Sequence, residues 1–154
     1  MIYIECKPDY VLVNSVMKTS RKEVVHEFKG KFEVCKRLEN AKDSKGLIDE
    51  DPSSVQPAYV QRARLETDLP EQGIKVLYDN SNNNRLIILS PRLEEWVLKA
   101  AQIAKVDVRK YDLSNDARKL HEVININLDK FEKLLEDLRE SSIALKTLKG
   151  LLRK

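Results

Sequence analysis

The chain has 154 residues, 42% hydrophobic and 34% charged, which supplies enough apolar material for a core and excludes disorder throughout. Lys and Arg number 28 against 25 Asp and Glu, and the resulting net charge of +3 is too small to argue for nucleic acid by itself. Its two cysteines, Cys6 and Cys35, form neither a disulfide framework nor a CxxC pair, and no apolar run approaches the ~20 residues that span a bilayer. Met1-Ile2-Tyr3-Ile4 meets Glu5 with no signal-like leader, so the expectation is a reduced, cytoplasmic protein with no membrane partner.

In chain order, Tyr3-Ile4 and their neighbours read as a short buried strand, followed by a helix over 8–17 with Pro8 in its first turn, where a missing N–H is harmless. Residues 24–28, "VVHEF", read as a second strand ending at Gly30-Lys31, and the spacing of Phe32, Val34, Cys35 and Leu38 predicts a helix. "KGLIDED" is a third strand with Leu47 and Ile48 at its centre, closed by acids and Pro52. This β-α-β-α-β order favours a parallel sheet covered by helices.

Residues 53–73 are polar and predict a short helix over 57–66 before the turn "LPEQG". "IKVLYD" and "RLIILS", joined by the turn-forming "NSNNN", read as an antiparallel hairpin. Pro91 is expected to open a helix running to Val106 with Ser90 as its cap. From Ser114 onward the chain reads as helical, with breaks at Asn125 and Asn127 and at Ser141 and Ser142. Ile124, Leu128, Phe131, Leu135 and Leu138 recur at steps of four and three, the seam of a helix packed on another.

The chemistry-bearing residues fall at equivalent places. Glu5 follows strand one, Gly30-Lys31 follows strand two, and Asp49 with Asp51 follows strand three, so a parallel sheet would bring them to one edge. Paired aspartates with a glutamate opposite can hold Mg²⁺ or Mn²⁺, which favour carboxylate oxygens and keep waters that a phosphate can displace. A lysine at the same rim can neutralise a phosphate oxygen.

These motifs resemble the Toprim family of topoisomerases, primases, nucleases and recombination mediators. An apolar strand ending in Glu, with Asp four residues on, is matched by "YIECKPD" (Glu5, Asp9), and the strand ending in Asp-x-Asp by "LIDED" (Asp49, Asp51). A Gly-Lys between them is matched by Gly30 and Lys31, and a Leu-Glu-x-Trp helix after the sheet by "LEEW". The resemblance covers about residues 2–90 and looks closest to small stand-alone, archaeal-type members. Cys6 departs from the usual glycine, and Pro52 from the usual continuation after the second aspartate.

The resemblance implies a Toprim-like (Rossmann-like) α/β domain over 1–112, with a mostly parallel central sheet flanked by helices. A C-terminal helical extension over 113–154 would pack on that domain or on a partner chain, making a homodimer one outcome. It implies a Mg²⁺- or Mn²⁺-dependent nuclease acting on DNA or RNA. Asp49, Asp51 and Glu5 would hold the metal, Glu5 would act as acid or base, and Lys31 would stabilise phosphate charge. Asp9 would orient Glu5 or the metal shell, and Glu95, or Glu94, would be a secondary carboxylate. The alternative is a non-catalytic nucleic-acid-binding or assembly module of a repair complex. A topoisomerase needs a nucleophilic tyrosine on a separate large domain, and a primase needs more chain than this.

The remaining candidates read as structural. His26 is a strand residue, His121 a solvated helix residue, Cys35 core, and Trp96 an anchor between helix and sheet. The C-terminal tip, with Lys146, Lys149, Arg153 and Lys154 and no acid, reads as a solvated face or a nucleic-acid contact.

Overall fold

A computed structural model describes residues 1–18, 24–26 and 30–154. Six strands form one mixed sheet in the order β2-β1-β3-β6-β5-β4. Strands β1 (Ile2–Ile4), β2 (Val24–His26), β3 (Lys45–Asp49) and β6 (Asn84–Leu89) run parallel to their neighbours in that half of the sheet. Strands β4 (Arg64–Leu69) and β5 (Ile74–Asp79) extend the other edge, with antiparallel pairing from β4 to β5 and from β5 to β6. Strand two was expected over 24–28. Phe28 and the side chain of His26 lie outside the described residues.

Helices cover both faces. On one, α1 (Lys7–Met17), α4 (Leu93–Ile103), α5 (Ala117–Val123), α6 (Leu128–Ser141) and α7 (Ile143–Arg153) share a core with Ile2, Ile4, Leu47, Ile87 and Leu89 of the sheet. On the other, α2 (Lys31–Glu39) and the short α3 (Ala58–Arg62) set Val34, Leu38 and Tyr59 on Ile48, Leu86 and Ile88. Gly46 permits the close approach of α2: a Cβ there would come within 2.9 Å of both Leu38 Cδ1 and Leu86 Cδ1. Cys35 and Trp96 are core residues at 2% and 3% exposure, and the Trp96 indole donates to Gln72 O at 2.7 Å.

The apolar seam of the C-terminal helices is covered within the chain. Ile124, Phe131, Leu135 and Leu138 are buried in the same core as Leu12, Val13 and Val16 of α1, and Leu128 is half-buried. Each such buried side chain contributes roughly 1.5–3 kcal/mol of apolar transfer, which holds α6 in place against its ordering entropy. The expected breaks fall at a 3₁₀ turn over Ile124–Ile126 and at Ser142, whose hydroxyl caps α7 by accepting from Leu145 N at 3.3 Å. No helix among the described residues is long and apolar enough to cross a membrane.

Two local expectations are corrected. The helix expected over 57–66 is only Ala58–Arg62, and Arg64–Leu69 is the edge strand β4. Helix α4 starts at Leu93 with Arg92 as its N-cap residue, not at Pro91, and the Ser90 hydroxyl has no hydrogen-bond partner among the described residues.

Candidate functional site

The strand order places β2 and β3 on opposite sides of β1, so the chain reverses direction across the sheet there, and a crevice forms beyond the carboxyl ends of β1 and β3. Glu5 directly follows β1 and Asp49 closes β3. Glu5 Oε1 accepts the Asp49 backbone N–H at 2.7 Å, tying the two strand ends together across this crevice. Asp49 Oδ1 accepts from Leu93 N at 3.1 Å, so it serves one of the unpaired amides at the start of α4. Gly30 comes up to the same place: its φ of +83° suits glycine, and a Cβ there would lie 3.9 Å from Glu5 Oε2.

Lys31 is only 8% exposed. Its ammonium donates to Glu50 O at 3.1 Å, Ser54 Oγ at 2.6 Å and Gln56 Oε1 at 3.2 Å. These bonds pin the loop after β3, and the lysine also lowers the Glu5 pKa through its charge. Within that loop Asp51 takes a positive φ of 42°, and its Oδ1 is 3.2 Å from Arg92 Nε. Arg92 also pairs with Glu95 at 3.3 Å, which makes Glu95 part of a helix-start salt bridge.

Buried acid dominates the electrostatics. Burial raises the Glu5 pKa, with Asp51 and Glu94 adding repulsion. Burial likewise raises Asp49 to about 9, with Asp9 and Glu5 adding to the rise, and raises Asp9 to about 7, with Glu5 contributing. Asp9 is 1% exposed, and its Oδ2 accepts from Cys6 N at 3.3 Å and from Cys6 Sγ at 3.2 Å. Its other oxygen has no hydrogen-bond partner among the described residues. Asp9 therefore bonds Cys6 rather than Glu5, and its charge acts on Asp49. Burial and Asp9 together push the Cys6 thiol well above its usual range, which leaves it protonated and a poor nucleophile.

Glu5, Lys31, Asp49, Asp51 and Glu95 all line one cleft of about 700 Å³. Asp9, which is buried, is not among the residues that line it. The C-terminal helices add residues that sequence reasoning did not bring to this cleft. Arg118 and His121 of α5 line the cleft, and His121 Nδ1 sits 2.9 Å from Oε1 of Glu94, which is 6% exposed. His121 was read as solvated; its ring is largely exposed, yet it is partnered. No local signal marks this pair, because the two residues are 27 apart in sequence and meet only through the packing of α5 on α4.

The donor chemistry suits a hard divalent cation, since the cleft offers the carboxylate oxygens of Glu5 and Asp49, buried acids whose ionised forms repel one another. Among the described residues, however, no three His, Cys, Asp or Glu side chains stand together as a set that could hold a metal ion. Glu5 and Asp49 are the carboxylates at the crevice, while Asp51 is turned to Arg92. Mg²⁺ commonly takes one or two protein carboxylates and completes its shell with water and substrate phosphate, so a two-carboxylate site fits it by chemistry. No family model, no curated protein and no solved structure matches the chain.

Proposed function

We propose that the protein is a Toprim-like enzyme that hydrolyses phosphodiesters in DNA or RNA with Mg²⁺ or Mn²⁺. The observation that carries this reading is the Glu5–Asp49 link across the strand crevice, set in a cleft of buried, mutually repelling acids. Asp49 and Glu5 would hold the cation, with Asp51 available if it leaves Arg92. The bound metal would polarise a phosphoryl oxygen and activate a water. Glu5 is fixed by the Asp49 N–H, and burial makes it hold its proton more strongly than an ordinary glutamate, which suits it to proton transfer. Lys31 positions the Asp51 loop and offsets the Glu5 charge, while Arg92 and Arg118 offer cations to a phosphate at the cleft wall.

The second reading, a non-catalytic nucleic-acid-binding or assembly module, is favoured by one specific fact: no three ligand side chains stand together among the described residues. Thermal melts and cleavage assays separate the two. Mg²⁺ or Mn²⁺ should raise the melting temperature of the wild type, by the equivalent of about 2.7 kcal/mol at a hundredfold excess over Kd. Asp49→Ala with Asp51→Ala should remove that rise together with any metal-dependent cleavage of single- or double-stranded DNA or RNA. A metal-induced rise without cleavage of any of these substrates identifies the binding module. No thermal response up to tens of millimolar metal rejects the metal site.

A further inference from the structure

A second site lies at the far end of α1. That helix begins beside the carboxylate cleft at Lys7 and ends at Met17, about 15 Å away by its rise per residue. There Lys18 meets α6 and α7 around a separate pocket of about 280 Å³, lined also by Arg139, Lys146, Lys149, Arg153 and one acid, Glu140. Arg139 is held in place, donating from Nη1 to Ser15 O at 3.2 Å and lying 3.4 Å from Glu140. Among the described residues, Lys18, Lys146, Lys149 and Arg153 have no ion-pair partner, although they converge on one concavity.

The sequence of α7 explains the convergence. Leu145, Leu148 and Leu152 are buried, which leaves Lys146, Lys149 and Arg153 on one flank of the helix. A solvated helix usually interleaves acids with its lysines, as α6 does with Asp129, Glu132, Glu136, Asp137 and Glu140. Helix α7 has none. We propose that this pocket is a second phosphate site, gripping the sugar-phosphate backbone of a nucleic acid at the end of α1 remote from the carboxylate cleft.

The spread of charge favours a polymer. Lys146 to Arg153 covers about 10 Å of helix, whereas a nucleic-acid strand carries a phosphate every ~3.4 Å of its axis, so a run of phosphates matches the site better than one ion. A lipid surface fits less well, because the apolar stripe of α7 is already buried in the core. The inference rests on the nucleic-acid partner proposed above but not on the metal, so its test is run in EDTA.

The experiment is fluorescence anisotropy of a labelled 20-nucleotide duplex and single strand, titrated from 50 to 200 mM salt. The triple variant Lys146→Gln, Lys149→Gln, Arg153→Gln keeps most of each side-chain stem, and circular dichroism and melting confirm that it folds. We expect at least a tenfold weaker Kd and a salt slope reduced by about 2–3, given roughly 0.9 per duplex phosphate contact and 0.7 on single strands. Lys146→Arg with Lys149→Arg should bind like the wild type. The idea is overturned if the triple variant binds unchanged, or if Lys36→Gln with Lys42→Gln weakens binding as much. It is equally overturned if the wild type fails to bind at 50 mM salt or binds only anionic vesicles. Displacement by 10 mM inorganic phosphate beyond that by chloride of equal ionic strength would mark a single-ion pocket instead. Retained wild-type binding in EDTA, together with no cleavage once Mg²⁺ or Mn²⁺ is supplied in a separate assay, leaves this site standing while rejecting the nuclease.

Discussion

The two edges of the sheet treat buried polarity in opposite ways. At the amino end of β6, Asn84 is fully buried and fully partnered: Oδ1 accepts from Ser44 N at 2.9 Å, and Nδ2 donates to Leu38 O at 2.7 Å and Ala41 O at 3.0 Å. One side chain thereby ties the end of α2 to the start of β3. At the carboxyl end of the same parallel strands, Glu5, Asp9 and Asp49 repel one another, and an oxygen of Asp9 goes unmatched. A satisfied buried amide stabilises a fold, whereas a cluster of buried like charges opposes it unless something else binds there. The difference separates the edge that holds the protein together from the edge available for chemistry.

The largest expected effect tests the satisfied edge. Asn84→Leu would strand Ser44 N and Ala41 O and leave Leu38 O with only its bond from Ala41 N, and should destabilise the protein by about 3 kcal/mol in urea denaturation. Asp9→Asn, at a site just as buried, should instead stabilise the metal-free protein by about 1 kcal/mol near pH 8, because it removes charge without removing the cap on Cys6. Equal losses in the two variants would dissolve the contrast between the edges.

The pH dependence follows with a definite sign. Asp9 and Asp49 have folded-state pKa values raised from 3.8, to about 7 and about 9. Between those limits the folded state binds more protons than the unfolded chain, so stability falls as pH rises. The contribution is fully present below about pH 4 and is lost progressively up to about pH 9. Metal-free wild type should therefore lose denaturation free energy across this range, and Asp49→Asn should flatten the curve. A wild-type curve that rises over pH 5–9 would contradict the buried-acid description. Saturating Mg²⁺ should also flatten it if the cation sits on these carboxylates.

How much of this was legible in the sequence depends on whether the cause is local. Strands β1 and β3 and helix α2 are marked by their own apolar patterns, and the residues after them reach a common edge because parallel strands share a direction. Strand β4 was hidden because it is an exposed edge strand, Arg-Leu-Glu-Thr-Asp-Leu, with no buried face to impose alternation. The start of α4 was misplaced for a tertiary reason: the Leu93 amide finds its acceptor in Asp49, 44 residues earlier, and not in Ser90. Asp51 was grouped with Asp49 because only their spacing is visible in sequence, whereas the positive φ at Asp51 and the reach of Arg92 decide where that carboxylate points.

The smallest expected effect tests whether the C-terminal helices tune the acidic edge. His121 lines the cleft, and its partner Glu94 repels Glu5, Asp9 and Asp49. Its ring is 73% exposed, so the ion pair is well screened, and His121→Gln should change global stability by less than about 0.5 kcal/mol. Its local effect should be clearer. A cation beside Glu94 offsets part of the charge felt by the other acids, and a neutral glutamine does not. Carboxyl titrations followed by NMR should therefore place the Asp49 transition lower in His121→Lys than in His121→Gln. Identical Asp49 titrations at every pH would show that α5 lines the cleft without acting on its charge.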